Sequence, residues 1–269
     1  MRSTAFVRDG LRFAAVDIGG RPLMVFQHGL CGDASQPADV FPPEVGWRCL
    51  TMECRGHGHS EAGPPEHFSL ATFAGDVAAW IETVSPEPVV LGGISMGAAI
   101  ALRLAVLRPE LVRALVLARP AWLCDTAPAN MRPNAVVGDL LARYPPAEAR
   151  ARFEASDLAR QLEVEAPDNL ASLRGFFARA PIAVTAELLV RISADGPGVA
   201  AWALGQIRVR TLVIGHRCDI VHPLAHAQTL ASAIRGACMV EITPKAESRD
   251  GYRRDFRAAL AGFLRELSG

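Results

Sequence analysis

Short apolar runs alternate with longer amphipathic segments along most of the chain. The strand-sized apolar runs are residues 13–16, 22–27, 47–52, 88–92, 112–117, 210–214 and 239–242. The segments with apolar residues at helical spacing are residues 69–84, 96–107, 224–234 and 253–267. Nearly continuous apolar strands separated by helices are typical of a parallel sheet that is covered on both faces. The pattern therefore predicts an α/β protein with a mostly parallel central sheet flanked by helices.

One long stretch interrupts this alternation. Residues 120–206 contain no convincing strand, only helical segments that are rich in Ala, Arg, Leu and Glu and punctuated by prolines. Such a stretch is too long for a simple crossover between two strands, and insertions at strand ends often cover a binding site. We expect a core made of residues 1–119 and 207–269, and a helical cap, or lid, made of residues 120–206.

Composition and charge exclude several classes of function. Of the 269 residues, 50% are hydrophobic, and 28 Lys and Arg balance 28 Asp and Glu, so the formal net charge is zero. This is the composition of a globular protein without the positive charge that attracts nucleic acid or an anionic membrane surface. We see no signal peptide, no membrane-length apolar run and no Cys/His cluster at metal-ligand spacing. We expect a cytoplasmic protein that acts on a small molecule, with no metal, organic cofactor, nucleic-acid partner or membrane partner; its oligomeric state is left open.

The most informative segment is a serine between two glycines at a strand-to-helix junction. Gly93, Ser95 and Gly97 form a G-x-S-x-G motif, which follows an apolar run and precedes a helical segment. A serine in this setting occupies a sharp turn that lifts its hydroxyl off the sheet, and the first amides of the helix can stabilise an oxyanion. The motif makes Ser95 a candidate nucleophile, with an ordinary helix start as the alternative.

Two further loops follow predicted strands in matching places. They are loop 28–32, with the sequence HGLCG, and loop 53–60, with the sequence ECRGHGHS. Together with the elbow around Ser95, these motifs resemble the α/β-hydrolase superfamily, in particular its small esterase, enol-lactonase and perhydrolase-like branch. The resemblance covers nearly the whole chain. It implies an α/β-hydrolase fold with the helical cap inserted after the sixth strand.

The resemblance also implies roles for individual residues. Ser95 matches the nucleophile, Asp219 matches the acid after the next-to-last strand, and the backbone N–H groups of Leu30 and Met96 match the oxyanion hole. An arginine directed into the pocket would favour a substrate that carries a carboxylate or a phosphate. Arg119 is the best placed for this role, with a structural salt bridge as the alternative.

The motifs assign no definite role to His28 or to the arginines of the cap. His28 is a possible substrate contact, although a histidine in that loop also serves to brace it. The cap carries several more arginines, and the sequence does not show which of them points inward. These are Arg132, Arg174, Arg179 and Arg191.

The chain departs from the family pattern at the position of the general base. In this family it is a histidine in the loop after the last strand, yet no histidine follows His226, and the expected position falls on Ala246 or Glu247. A serine hydroxyl without a base is a poor nucleophile. Either a different base reaches Ser95, or another base activates water or the substrate directly, or the protein binds a small ligand without catalysis. The candidate bases are His222 and Glu247, followed by His57, His59 and Lys245.

The sequence thus predicts a hydrolase for an ester, a lactone or a related carbonyl bond of a small molecule. Its nucleophile would be a serine in a non-standard or incomplete triad. A catalytically silent protein of the same fold that binds a small ligand is the alternative hypothesis.

Overall fold

A single eight-stranded sheet organises the protein. The computed structural model describes residues 2–268. The strands are β1 (Arg2–Arg8), β2 (Leu11–Ile18), β3 (Leu23–Gln27), β4 (Arg48–Met52), β5 (Val89–Ile94), β6 (Val112–Ala118), β7 (Arg210–Gly215) and β8 (Cys238–Glu241). Their order is β1-β2-β4-β3-β5-β6-β7-β8. Strand β2 pairs antiparallel with both of its neighbours, β1 and β4, and the other neighbouring pairs are parallel. The predicted mostly parallel sheet is confirmed.

Helices cover both faces of this sheet. They are α1 (Ser35–Val40), α2 (Leu70–Val84), α3 (Met96–Leu107), α4 (Arg132–Arg143), α5 (Pro146–Glu154), α6 (Asp157–Glu165), α7 (Pro167–Phe176), α8 (Ile182–Ala194), α9 (Leu224–Ala233) and α10 (Arg249–Glu266). Alternate side chains of β5 show the two layers: Leu91 belongs to an apolar cluster that includes residues of α2, α3 and α9, whereas Val90 belongs to one that includes residues of α10. None of the helices within residues 2–268 is long and apolar enough to cross a membrane.

The first strand is one that the apolar pattern did not predict. Strand β1 pairs with β2 through a hairpin whose turn residues, Asp9 and Gly10, have positive φ angles of 53° and 76°. Because β1 lies at the edge of the sheet and is largely exposed, its sequence lacks the continuous apolar run that marks the buried strands. The predicted run 13–16 is the middle of the longer strand β2.

Five helices, α4 to α8, lie between β6 and β7, where the sequence predicts the cap. They enclose an apolar cluster of their own, in which Val137, Phe153, Leu162 and Leu189 are fully buried. Helix α4 packs along α8. The exact division into a core and a cap at residues 119/120 and 206/207 stays a prediction.

The turn between β5 and α3 is too tightly packed for side chains at its glycines. Ser95, at the turn, has φ and ψ angles of 57° and −110°, outside the regions that L-residues normally occupy. A Cβ atom on Gly93 would lie 2.2 Å from the carbonyl carbon of Gly97, and one on Gly97 would lie 2.4 Å from the carbonyl oxygen of Gln27. The two glycines therefore permit the close approach of strand, turn and helix.

We expect Gly97→Ala to lower the free energy of unfolding by about 2 kcal/mol or more, because the added methyl group overlaps the backbone of β3. Gly262→Ala is the matched control, since a Cβ atom there meets nothing within 4 Å and alanine favours the helix by about 0.5–1 kcal/mol. Urea denaturation measures both variants. Equal effects of the two substitutions would contradict this account of the turn.

Candidate active site

Ser95 faces a cavity between the carboxyl ends of the central strands and the cap. The cavity has a volume of about 400 Å³. Its walls come from the loop after β3, the elbow after β5, the loop after β7 and helix α7 of the cap. The backbone N–H of Ser95 donates to the carbonyl of Ala118 at 2.9 Å, which fixes the turn to the neighbouring strand. The strained residue is therefore held at the cavity by its surroundings.

A chain of hydrogen bonds joins Ser95 to a histidine and a carboxylate. The His222 Nε2 atom lies 2.8 Å from the Ser95 Oγ atom, and the His222 Nδ1 atom lies 2.9 Å from each carboxylate oxygen of Asp219. Because a carboxylate only accepts, Nδ1 carries the ring proton and Nε2 is free to accept from the serine hydroxyl. The geometry is that of a Ser-His-Asp triad.

Asp219 and His222, the candidate acid and base, come from the same loop, between β7 and α9. Cys218, with a φ angle of 58°, turns the chain immediately before Asp219, and the backbone N–H of His222 donates to Asp219 Oδ1 at 3.0 Å. This turn places both side chains, three residues apart, on the same side. Among the candidate bases named from the sequence, His222 is the one that the structure brings to Ser95.

The loop after β8, where the resemblance places the base, does not supply one. Glu247 is exposed and does not line the cavity. Lys245 does line it, but its Nζ atom lies 3.3 Å from Asp168 Oδ1. His57 is fully buried with its Nδ1 atom donating to the Arg55 carbonyl, and His59 is exposed beside Glu53. The geometry thus does not support Glu247 as the base.

Asp219 is a buried carboxylate with several donors. Arg119 donates to Asp219 Oδ2 from Nε at 3.0 Å and from Nη2 at 2.7 Å, and Asn169 donates to Oδ1 at 2.8 Å. Burial by itself raises the pKa of Asp219, but the charges of Arg119 and His222 hold this pKa well below its usual range. The acid is therefore ionised at neutral pH.

The His222 ring is neutral at neutral pH. Burial is the main reason why the pKa of His222 lies below its ordinary value of 6.5; Asp219 opposes this by raising the pKa, and Arg119 lowers it further. A neutral imidazole that already donates through Nδ1 can take a proton at Nε2. The electrostatics of the loop therefore suit a general base.

Two backbone amides beside Ser95 are free to donate. Met96 is the first residue of α3, so its N–H has no acceptor within the helix. Gly29 lies against the serine, since a Cβ atom built on it would be 3.3 Å from the Ser95 Cβ atom, and Leu30 follows it at the cavity wall. Within residues 2–268, neither the Leu30 nor the Met96 amide donates to a protein acceptor. Both predicted oxyanion donors are thus available.

The two residues predicted as possible substrate contacts have different surroundings. His28 is fully buried; its Nδ1 atom donates to the Gly29 carbonyl at 2.8 Å, and its Nε2 atom accepts from the Cys54 N–H at 3.0 Å. It does not line the cavity, and its two hydrogen bonds brace the loops after β3 and β4. Arg119 does line the cavity, but its guanidinium is bound to Asp219.

Asn169, on the cap helix α7, is a site residue that the sequence analysis did not identify. Besides its bond to Asp219, its side-chain oxygen accepts from the backbone N–H groups of Ile220 at 2.8 Å and Val221 at 3.1 Å. One cap side chain thus holds the loop that carries both acid and base. No motif or spacing marks an asparagine near the start of a cap helix for this role.

The comparisons with known proteins agree with this fold. The alpha/beta hydrolase fold family matches residues 22–179. A Mycobacterium tuberculosis protein, provisionally named non-heme bromoperoxidase BpoC, is 32% identical over 202 residues, which are 74% of this chain and 75% of the relative. A Klebsiella pneumoniae protein, provisionally named carbamate hydrolase RutD, is 29% identical over 242 residues, or 86% of each chain. The protein belongs to the alpha/beta hydrolase fold family.

A solved structure extends the comparison over nearly the whole chain. The enol-lactonase from Burkholderia xenovorans LB400 superposes with a TM-score of 0.70 and 25% sequence identity, covering 96% of this chain and 99% of that one. The implied fold is confirmed over a length that includes the helices between β6 and β7.

We expect Asn169→Ala to loosen the loop between β7 and α9, because the Ile220 and Val221 amides lose their acceptor. Hydrogen–deuterium exchange should show faster exchange at these two amides, and the free energy of unfolding should fall by about 1–3 kcal/mol. Gln161→Ala is the control, since this exposed cap residue bonds only to Glu165. Unchanged exchange in the Asn169 variant would show that the loop keeps its shape without the cap.

Proposed function

We propose that the protein is a serine hydrolase that cleaves an ester or lactone bond of a small molecule through an acyl-enzyme. The observation that carries this proposal is the 2.8 Å contact between the Ser95 hydroxyl and a His222 ring whose other nitrogen is bound to Asp219. A serine hydroxyl becomes an effective nucleophile when an oriented base can remove its proton.

The proposed reaction uses each of these groups in turn. His222 Nε2 takes the Ser95 proton while Oγ attacks the carbonyl carbon, and the N–H groups of Leu30 and Met96 donate to the resulting oxyanion. Asp219 stabilises the imidazolium. His222 then gives the proton to the departing oxygen, and the bond to that oxygen breaks. Water then gives a proton to His222 Nε2 and attacks the acyl carbon. The bond from this carbon to Ser95 Oγ breaks, His222 returns the proton to Oγ, and the carboxylic acid product is released.

The relatives support a carbonyl substrate. One is named for carbamate hydrolysis, and the superposed structure is an enol-lactonase. A cavity of about 400 Å³ is of the size that holds small molecules. The alternative, a silent ligand-binding protein, rests on the absence of a histidine after the last strand. The position of His222 removes that reason, so the geometry favours an enzyme.

We expect Ser95→Ala and His222→Ala each to lower kcat/KM on aryl esters or lactones by about 10,000-fold or more, since each removes a member of the triad. Ser95→Ala should also abolish labelling by a fluorophosphonate. Glu247→Gln is the comparison variant and should retain activity, because the side chain is exposed and does not line the cavity.

Two results would contradict this proposal. Activity that survives His222→Ala but is lost in Glu247→Gln would show that the base comes from the loop after β8. Absence of both turnover and a fluorophosphonate adduct on Ser95 in the unmodified protein would reject a serine hydrolase altogether.

The acid limb of the pH profile should lie at a low pH. The pKa of His222 lies below 6.5, chiefly because of burial, and the protonated ring cannot accept the serine proton. Activity should therefore be full at neutral pH and be lost as the pH falls through a midpoint below 6.5. The dependence of kcat/KM on pH measures this midpoint. A midpoint above 6.5 would show that the attraction of Asp219 outweighs burial.

A further inference from the structure

All charged side chains that line the cavity are positive. They are Arg119, Arg179 and Lys245, and no aspartate or glutamate of residues 2–268 joins them at the wall. The other polar lining groups are neutral amides and hydroxyls, from residues such as Gln36 and Asn134. A cleft that is lined by charges of one sign focuses its electric field on a ligand of the opposite sign.

Two of these three cations have a carboxylate partner. Arg119 Nη2 lies 2.7 Å from Asp219 Oδ2, and Lys245 Nζ lies 3.3 Å from Asp168 Oδ1. Arg179 forms no ion pair with any residue from 2 to 268. The three cations and two carboxylates leave one positive charge, and it is located on Arg179.

The partners of Arg179 are neutral. Its Nε donates to the Cys31 carbonyl at 3.0 Å, Nη1 donates to Thr185 Oγ1 at 2.9 Å, and Nη2 donates to the Gly56 carbonyl at 2.8 Å. These bonds hold the guanidinium firmly but do not cancel its charge. A guanidinium has five N–H groups, so one on each terminal nitrogen is left for a ligand.

Arg179 is also bonded to the loop that carries one of the proposed oxyanion donors. Its Nε partner, Cys31, directly follows Leu30, whose amide we assign to the oxyanion hole. A ligand group bound to Arg179 would therefore lie near the reacting carbonyl. A preorganised guanidinium suits a planar anion with two oxygens, which it can bind through both terminal nitrogens.

We propose that the substrate carries a carboxylate group, distinct from the bond that is cleaved, and that Arg179 binds this carboxylate. The inference rests on the proposed function and specifies its substrate class. A monoanion matches the single uncompensated charge, whereas a doubly charged phosphate monoester would leave a negative charge unpaired in the pocket. Lys245 contributes to the field but stays paired with Asp168.

The test compares three aryl esters of matched length. They are the mono-4-nitrophenyl ester of glutaric acid, its neutral methyl ester, and a 4-nitrophenyl ester ending in a phosphate. We expect kcat/KM to be about 10- to 100-fold higher for the free acid than for the methyl ester, as a charge-assisted hydrogen bond provides. Arg179→Gln should reduce this ratio to near one, and Arg179→Lys should retain part of it.

Matched variants separate binding of the carboxylate from damage to the fold. Arg174→Gln is the control, because this cap arginine pairs with Glu154 and does not line the cavity, and it should keep the full ratio. Labelling of Ser95 by a fluorophosphonate shows whether each variant keeps a competent site. The readout is the ratio of kcat/KM for the free acid to kcat/KM for the methyl ester. A loosened cap would lower both values together, so it would not produce the expected change in this ratio.

The remaining outcomes overturn the proposal in distinct ways. A ratio near one in the unmodified protein, or a preference for the phosphate ester, would reject a carboxylate substrate. A ratio that survives Arg179→Gln but is lost in Lys245→Met would show that Lys245, and not Arg179, binds the carboxylate. If Ser95 is not labelled and no ester turns over, the proposed function fails. Thermal stabilisation by monomethyl glutarate, a monoanion, then tests carboxylate binding, and equal shifts with and without Arg179→Gln would reject it.

Discussion

The buried carboxylate of Asp219 is the point at which the sheet, the cap and the loop between β7 and α9 meet. Arg119 reaches it from the end of β6, Asn169 from helix α7 and His222 from its own loop. A buried charge is tolerated only when such partners replace the hydrogen bonds that water would make. Removing one partner leaves the buried charges incompletely paired, which destabilises the fold. The orientation of His222 toward Ser95 therefore depends on contacts from three separate parts of the chain.

The same loop carries both the proposed acid and the proposed base. Asp219 and His222 lie three residues apart, and the Asp219 carboxylate binds both the ring and the backbone N–H of His222. In the proposed mechanism the loop after β8 supplies no catalytic group. It places Lys245 at the cavity wall instead, where Asp168 balances its charge. If His222 is the base, the loop after β8 contributes a lysine to the cavity wall and no proton acceptor.

Local patterns predicted the features that depend on local physics. Apolar runs marked the buried strands, and glycines around Ser95 marked a turn too tight for side chains. Edge strand β1 carries no such run, although its Asp9-Gly10 turn is typical of a hairpin. The position of His222 depends on how a loop folds back in three dimensions, and Asn169 acts across the boundary between cap and sheet. Neither leaves a periodic trace, so counting along the chain led to Glu247, which is exposed and does not line the cavity.

The contacts of Asn169 and Arg179 bear on how such a protein can diversify. Both residues belong to the helical segment between β6 and β7. Asn169 bonds to the loop between β7 and α9, whereas Arg179 bonds to the loops after β3 and β4. This segment is consequently not an interchangeable module. If Arg179 and His222 act as proposed, grafting the corresponding helices of a relative would alter ligand preference and disturb the loop between β7 and α9 in the same step. Under that proposal, new specificities are more accessible by single changes at the cavity wall than by exchange of the whole helical segment.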